Sequence, residues 1–532
     1  MLLDLRRCDV ETMEADVCIV GAGAAGLALA HGLLGSGLSL LVLESGGMEP
    51  EPGLEALNQG ENIGSSLLDL AGSRRRVLGG ATTLWAGQCV RMQAQDLCQR
   101  AWVAHSGWPL GIDELDPWYE AIESWLDIDG EYYDERNWTN FGIAPPALDP
   151  DRLASRFTVI PRRVKLGQTM LKALSRASDA HVLLHATTTG LILDDSGSRV
   201  RCLRAGALNG PSVEVRACHF VLSAGAIENV RLLLGSRDQQ PSGIGNHHDQ
   251  VGRFLQDHPN AIVGGVETAH PRYLQDRFAL LYRRGRRYFP RMLLSPTVQR
   301  REQVLAAAAV LIFEYPDGSG LGSARELALA VRSGRRPDRL GRRLGSVIAD
   351  APALATAAQR RFIRGRSPGS PPQRIRLQVF TEQEPSASSR VTLSRERDAL
   401  GLPLAQVEWR ISTVEGRTVE VMVSEVSREL ARIGGGRVIP AEWIRHATDA
   451  PGEHLGDAFH HIGTTRMAED PRHGVVNRDL RVHGVENLYA AGASTFPTSS
   501  WVNPTLTAMA LSARLADHLV RRQGASSGAK RA

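Results

Sequence analysis

No apolar run in the 532-residue chain approaches the roughly 20 residues that a membrane-spanning helix needs. There is no CxxC pair either. The six cysteines (Cys8, Cys18, Cys89, Cys98, Cys202 and Cys218) form no metal-type spacing. Several lie in apolar runs, where a reduced, buried thiol is the expectation. No apolar segment follows Arg6-Arg7 before the first strand pattern, which argues against a twin-arginine export signal, so a cytoplasmic location is expected. The net charge of +4 is too small for this length to imply a nucleic-acid partner. Lysine is almost absent, so arginine carries nearly all of the 62 basic charges. Arginines cluster at 283–287 and through 325–376. A solvated face is the first reading of both clusters, and an anionic substrate or an acidic partner surface is the alternative. No internal repeat is visible. What remains is a globular chain long enough for two or three domains around a large core.

Its organising stretch comes early. The short, β-branched run 16–20 leads into Gly21-Ala22-Gly23-Ala24-Ala25-Gly26, then a helical pattern over 27–34, then a second apolar run 38–43 ending on Glu44. The glycines answer to different needs, with a tight turn at Gly21, close approach of a pyrophosphate at Gly23 and helix–strand packing at Gly26. The helix aims its free N–H groups and positive dipole end at the phosphates. Glu44, about twenty residues on, is placed to bond a ribose hydroxyl. Strand, glycines, helix, strand and acid in register predict a dinucleotide site, against the alternative of a structural turn in an α/β sheet. The acid does not choose between NAD and FAD.

Further along, Arg74-Arg75-Arg76 precedes Gly79-Gly80-Ala81-Thr82-Thr83-Leu84-Trp85. Paired glycines followed by hydroxyl residues suit a backbone lying flat on a ligand, and equally a plain loop-to-helix cap. The spacing of Leu115, Trp118, Tyr119, Ile122 and Leu126 predicts an amphipathic helix with its aromatics in the core. Residues 128–160 read as an irregular excursion. Runs at 187–194, 199–207 and 213–217 read as a small antiparallel unit. The stretch 219–228 repeats the strand–glycine–helix pattern, with Ala224-Gly225 at its ligand end. Strand-like runs at 261–267, 291–295, 309–314 and 375–381 flank a helix-prone stretch, 322–365, which Pro and Gly break at 367–372. The C-terminal part carries His460-His461-Ile462-Gly463-Thr464-Thr465-Arg466-Met467, then Ala490-Ala491-Gly492-Ala493-Ser494, then Ser500-Trp501-Val502-Asn503-Pro504-Thr505 and a closing helix over 506–519. The adjacent histidines, with His454 nearby, lack a carboxylate or cysteine at ligand spacing, so no metal is expected. Tandem core histidines are the plainer alternative to a catalytic pair.

Together these motifs resemble the glucose–methanol–choline (GMC) oxidoreductase family over nearly the whole chain. The carriers are GAGAAG at 21–26, Glu44, the Gly79-Gly80 loop, SAGAIEN at 223–229, the stretch from Val251-Gly252-Arg253 to Asp257-His258-Pro259, and the C-terminal motifs. SGWP at 106–109, AIEN at 226–229 and HHIGTTRM at 460–467 are most similar to the branch of pyranose oxidases and fructose and gluconate dehydrogenases. The resemblance implies an α/β fold: a Rossmann-like FAD-binding domain assembled from several segments, and a substrate domain with a mostly antiparallel sheet and covering helices. The expected segments are 1–104, 161–259 and 451–523 for FAD, 105–160 as an excursion over the cofactor, 260–450 for substrate, and 524–532 as a disordered tail. FAD is implied in place of NAD. The implied cofactor-binding set is Gly21, Gly23, Ala24, Ala25, Gly26, Glu44, Ser45, Gly79, Gly80, Thr82, Thr83, Thr188, Ala224, Gly492, Ala493, Pro504 and Thr505. His460 falls at the catalytic histidine and Asn503 at its partner.

The residue types suit alcohol oxidation to a carbonyl. A neutral imidazole, with an unperturbed pKa of about 6.5, can take a hydroxyl proton near neutrality while the hydride goes to flavin N5. An amide holds the same oxygen without competing for the proton. The closing helix begins beside Asn503, where its N-terminus can stabilise charge gained by the reduced flavin. Two positions depart from the family. Leu84 replaces the histidine that pyranose oxidases link to FAD, so non-covalent FAD is expected. Gly492 replaces an aspartate. The expected substrate is a sugar, glycoside or cyclic polyol alcohol. Alternatives are a sterol or choline-like alcohol, a lyase with a non-redox flavin, or a flavin subunit passing electrons to a separate protein. Oxygen, quinone and a carrier protein all stay open as electron acceptor.

Overall fold

The computed structural model describes residues 1–529 except 65, 163, 175, 316–319, 333–335, 338, 368 and 370. The strand before the glycine-rich turn, Thr12–Val20, lies inside an eight-stranded sheet. Val17, Cys18, Ile19 and Val20 are buried on both faces, which is why this run reads as continuously apolar. Parallel neighbours, Leu40–Leu43 and Ser212–Leu222, flank it. Beyond the former come Ala180–Leu184 and then Leu2–Asp4, both parallel. On the other side Ser212–Leu222 pairs antiparallel with Val200–Gly206, which pairs with Thr187–Leu193, the predicted small unit. Its far end takes Leu488–Ala490 as a parallel neighbour. Helix Ala24–Leu33 packs on the closing helix, Thr505–Ala529. Gly32 permits the close approach, because a Cβ there would stand 2.8 Å from the Ala516 Cβ.

A second sheet of seven strands is antiparallel in every pairing. Six run in the order Leu281–Arg283, Arg286–Leu294, Ala307–Glu314, Arg374–Thr381, Asn260–Glu267, Arg437–Pro440, and the seventh, Leu153–Ile160, pairs with Arg286–Leu294 off this path. Helix Thr413–Arg432 covers it, started by a reciprocal Ser412–Glu415 cap, and buries Val419, Met422, Val426 and Leu430 in a core separate from that of the first sheet. The α/β class and the antiparallel sheet with its helix are as expected.

The expected map differs in four places. Residues 153–160 are not irregular: Leu153–Ile160 is a strand paired along its whole length with Arg286–Leu294. Strands Arg390–Arg397 and Pro403–Glu408 join Gly60–Asn62 in a third sheet, and Val391, Ala405, Val407 and Trp409 sit in the first core, so this part of 260–450 packs with the nucleotide-type half. The closing helix continues to Ala529, so 524–529 are helical and 530–532 lie outside the described residues. Arg286 is buried between Glu131 and Asp127, and Arg360 is buried against Asp276 at 2.5 Å, so neither belongs to a solvated face. Most of the described part of 322–365 is helical, at Gly320–Arg332, Leu340–Ala349 and Ala351–Ala358. Of the expected break at 367–372, residues 368 and 370 lie outside the described residues. No described helix is long and apolar enough to cross a membrane.

Candidate active site

The strand ends at Val20 and the chain turns at Gly21 with φ of +100°, a region open to glycine. A Cβ on Gly21 would stand 2.8 Å from the Ser223 carbonyl oxygen, and one on Gly26 would stand 2.0 Å from the Gly21 carbonyl oxygen. These two glycines serve packing. Gly23 differs, since a Cβ there would meet no protein atom and would project into a cavity of about 500 Å³. The helix that Gly23 starts has no side-chain cap, leaving its first-turn N–H groups for a ligand.

That cavity gathers most of the residues the sequence singled out. Glu44, Ser45 and Thr188 line one part of it, and Gly21, Gly23, Ala24, Ala25, Gly80, Thr82 and Ala224 line another. Gly492, Ala493, Pro504, Thr505, Asn503 and His460 line the rest. Three stand off the wall. Gly26 packs beneath the helix, Gly79 donates its N–H to the Ala22 carbonyl at 2.9 Å, and Thr83 is exposed with its hydroxyl bonded to the Gly80 carbonyl. Glu44 is buried and accepts the N–H groups of Ala22 (3.0 Å) and Gly46 (2.8 Å). Burial pushes its carboxyl up to about 7 against those two bonds.

His460 is held from behind. Gln256 and Ile462 exchange backbone bonds of 3.0 and 2.9 Å, which lays 456–462 along 256–260. The Asp257 carboxylate accepts the N–H groups of His258 (2.6 Å), Ala458 (2.9 Å) and His460 (2.9 Å). The Nδ1 atoms of His460 and His258 lie 2.9 Å apart. Burial first, then His258, Arg291 and His461, drives the pKa of His460 well below its ordinary value. Asn503 sits with its Oδ1 3.3 Å from Nη2 of Arg291, which also donates to Gln88 Oε1 at 2.8 Å. Arg291 is 3% exposed, and it forms no ion pair with another described residue.

Residues 160–260 match the family model for the N-terminal part of GMC oxidoreductases, and residues 385–512 match the model for the C-terminal part. The chain belongs to the GMC oxidoreductase family. Fructose dehydrogenase large subunit from Gluconobacter japonicus is 24% identical over 591 aligned positions, covering 96% of this chain and 98% of that one. C-glycoside 3-oxidase from Microbacterium trichothecenolyticum is 31% identical over 154 residues, 29% of this chain and 28% of that one. Among solved structures, pyridoxine 4-oxidase from Mesorbium loti superposes with a TM-score of 0.60 at 19% identity, covering 95% of this chain and 99% of that one.

GMC oxidoreductases bind FAD, and the cavity of this GMC oxidoreductase fits that group. Gly23 leaves room where a pyrophosphate would lie. The buried Thr188 Oγ1, Ser73 Oγ and His461 Nε2, all from residues on the cavity wall, have no hydrogen-bond partner among the described residues. Leu84 is also on the wall.

Several wall residues were not singled out as site residues. Arg74 and Arg76 both reach Glu228, at 2.5 and 3.0 Å, and Arg231 bridges Glu228 to Asp398 at 2.9 and 2.8 Å. Burial would raise the Glu228 carboxyl, but these three arginines bring it down to about 2. The arginine triplet at 74–76 was the available signal; its acid partners lie far off in the chain. The sequence showed no carboxylate at a recognisable ligand spacing from the histidine pair, whereas the fold brings Asp257 and Asp457 into reach of His460 and His461. The Asp257 oxygens there are already engaged by backbone N–H groups. His454 instead stacks on Trp443, with ring centres 4.8 Å apart.

Proposed function

We propose that this protein oxidises a CH–OH group of a sugar, glycoside or cyclic polyol to the carbonyl, with His460 as the base that takes the hydroxyl proton. The observation that carries the reading is that His460 and Asn503 share one cavity with the glycine-rich turn at 21–26. FAD, bound without a covalent link along Gly21–Ala25, Glu44, Ala224 and Gly492–Ala493, would supply the hydride acceptor at N5 of its isoalloxazine.

The chain's own groups do the rest. Burial keeps the His460 imidazole neutral, so its lone pair is available to a hydroxyl proton. Because Arg291 takes the Oδ1 of Asn503, the amide presents its NH₂ group as a donor to the same hydroxyl oxygen. Pro504 and Thr505 place the positive end of the closing helix in the cavity wall, where it favours negative charge. Leu84, Trp85 and Ala86 add apolar wall to the cavity. The substrate class is supported by the relatives named for fructose and for a C-glycoside.

Anaerobic mixing of purified, FAD-loaded protein with sugars, glycosides, polyols, sterols and choline-like alcohols tests the reading. Flavin bleaching by a sugar-type alcohol is expected, and reoxidation by oxygen, quinone or a carrier protein then names the acceptor. Turnover without bleaching, as in a lyase, or bleaching only by sterols or choline-like alcohols, overturns it.

A further inference from the structure

We infer that His258 is a positioning residue that locks His460 in the tautomer whose Nε2 carries the lone pair. This rests on His460 being the base proposed above. Nε2 of His258 faces two backbone carbonyl oxygens, Ser500 at 2.9 Å and Ser499 at 3.3 Å. A carbonyl only accepts, so this nitrogen carries hydrogen. A neutral imidazole has a single N–H, which leaves Nδ1 of His258 as an acceptor. Against it, at 2.9 Å, stands Nδ1 of His460. Two lone pairs at that distance would repel, so His460 holds its hydrogen on Nδ1 and donates it. The rings meet edge to face, at 86° with centres 5.0 Å apart. His460 is therefore left with an unprotonated Nε2, which has no partner among the described residues while the ring lines the cavity. The hydrogen bond made by one ring nitrogen sets the state of the other.

The lock depends on His258 staying neutral. Burial lowers its pKa to about 4, although the Ser499 and Ser500 carbonyls and Glu382 favour the cation; Arg291 opposes it. The other ionisable groups around the pair are His461, Asp257 and Asp457, the last two within reach of the histidines. Were His258 to take a second proton, its Nδ1 would become a donor. His460 would then have to accept at Nδ1 and carry hydrogen on Nε2, and the base would be lost without His460 itself gaining charge. Apolar replacement of His258 removes the acceptor and lets the His460 hydrogen sit on either nitrogen. Asparagine at 258 offers an amide oxygen as a substitute acceptor.

The test uses the FAD-loaded full chain carrying [¹⁵N]histidine, with the His460 signals assigned by their loss in His460→Ala. Near neutral pH the unmodified protein is expected to show protonated Nδ1 and bare Nε2 at His460. His258→Leu should shift His460 toward the Nε2–H form, and His258→Asn should return it. With whichever alcohol bleaches the flavin fastest in the screen, His258→Leu should slow reduction by about 10- to 10²-fold at little-changed KM. That is less than the ~10²–10⁴-fold for loss of the base itself. His258→Asn should recover most of the rate. An Nε2–H signal from His460 in the unmodified protein overturns the inference even if His258→Leu does not fold. So does a His460 tautomer indifferent to His258→Leu. If His460→Ala leaves flavin reduction intact, the base assignment has failed, which is a separate outcome from failure of the lock.

Discussion

Arg291 donates its Nη2 hydrogen to the Oδ1 of Asn503 at 3.3 Å, and burial alone brings its guanidinium down to about 10. The arginine comes from the antiparallel sheet and the asparagine from the loop before the closing helix, so this bond crosses between the two halves of the molecule. A cation buried without an acid is costly to the fold, and through Asn503 it would act on the oxygen that the proposed proton removal leaves with negative charge.

Arg291→Met should therefore separate activity from stability. Loss of a charged hydrogen bond, worth about 1.5–3 kcal/mol, predicts flavin reduction slower by roughly 10- to 10²-fold. Replacing an unpaired buried charge by an apolar chain of similar length should leave Tm unchanged or raise it. Stopped-flow reduction and a thermal melt on the same sample check both. A large fall in Tm would show that the guanidinium is structural.

His460→Ala should retain FAD and slow flavin reduction by about 10²–10⁴-fold. Asn503→Ala should slow it less, since a hydrogen bond is removed and the proton acceptor stays. His461→Ala serves as the comparison, with the smallest effect expected of the three. Rapid-mixing absorbance measures all of them, and a dominant His461 effect would reassign the base to the neighbouring residue.

The pH dependence follows from burial. Protonation of His460 removes the lone pair, so the reduction rate falls as pH drops through its folded pKa. For an exposed histidine that limb would lie near 6.5. Desolvation first, then His258, Arg291 and His461, disfavours the cation here, so the rate should stay flat through 6.5 and fall only well below it. A limb centred near 6.5 in a pH series of flavin reduction would contradict the buried geometry.

Gly23→Val and Gly26→Ala should fail in different ways. At Gly23 the backbone is extended, φ −79°, and an added Cβ meets no protein atom, so the valine variant should fold but purify without yellow flavin. At Gly26 even a methyl group would stand 2.0 Å from the Gly21 carbonyl and 2.7 Å from Ser223 Oγ, so that variant should lose stability. Flavin absorbance per protein and circular dichroism distinguish the two.

Leu84 on the cavity wall offers no nucleophile for a flavin link, so acid precipitation should release the flavin into the supernatant and leave a colourless pellet. Flavin retained by the pellet would point to attachment through another residue.

The nucleotide-type unit was legible because its evidence is local. Val17–Val20, the three glycines and Glu44 fall within one strand–helix–strand span, where turn chemistry and apolar periodicity act over a few residues. His460 and Asn503 were legible through short motifs beside such elements. What surrounds them was not. His258 meets His460, and Arg291 meets Asn503, across about two hundred positions of chain, through strand pairing that no local pattern encodes. Charge behaved the same way: Arg286 and Arg291 look alike in sequence, yet one is buried between two acids and the other is buried with none. Strands Arg390–Arg397 and Pro403–Glu408 read as part of the substrate half by position, and only the pairing of Pro403–Glu408 with Gly60–Asn62 moved the two of them. Sequence settles what a segment can form, because backbone preference and periodicity are short-ranged. Tertiary packing settles which side chains share one cavity, and with it the hydrogen-bond partners on which the proposed tautomer and chemistry turn.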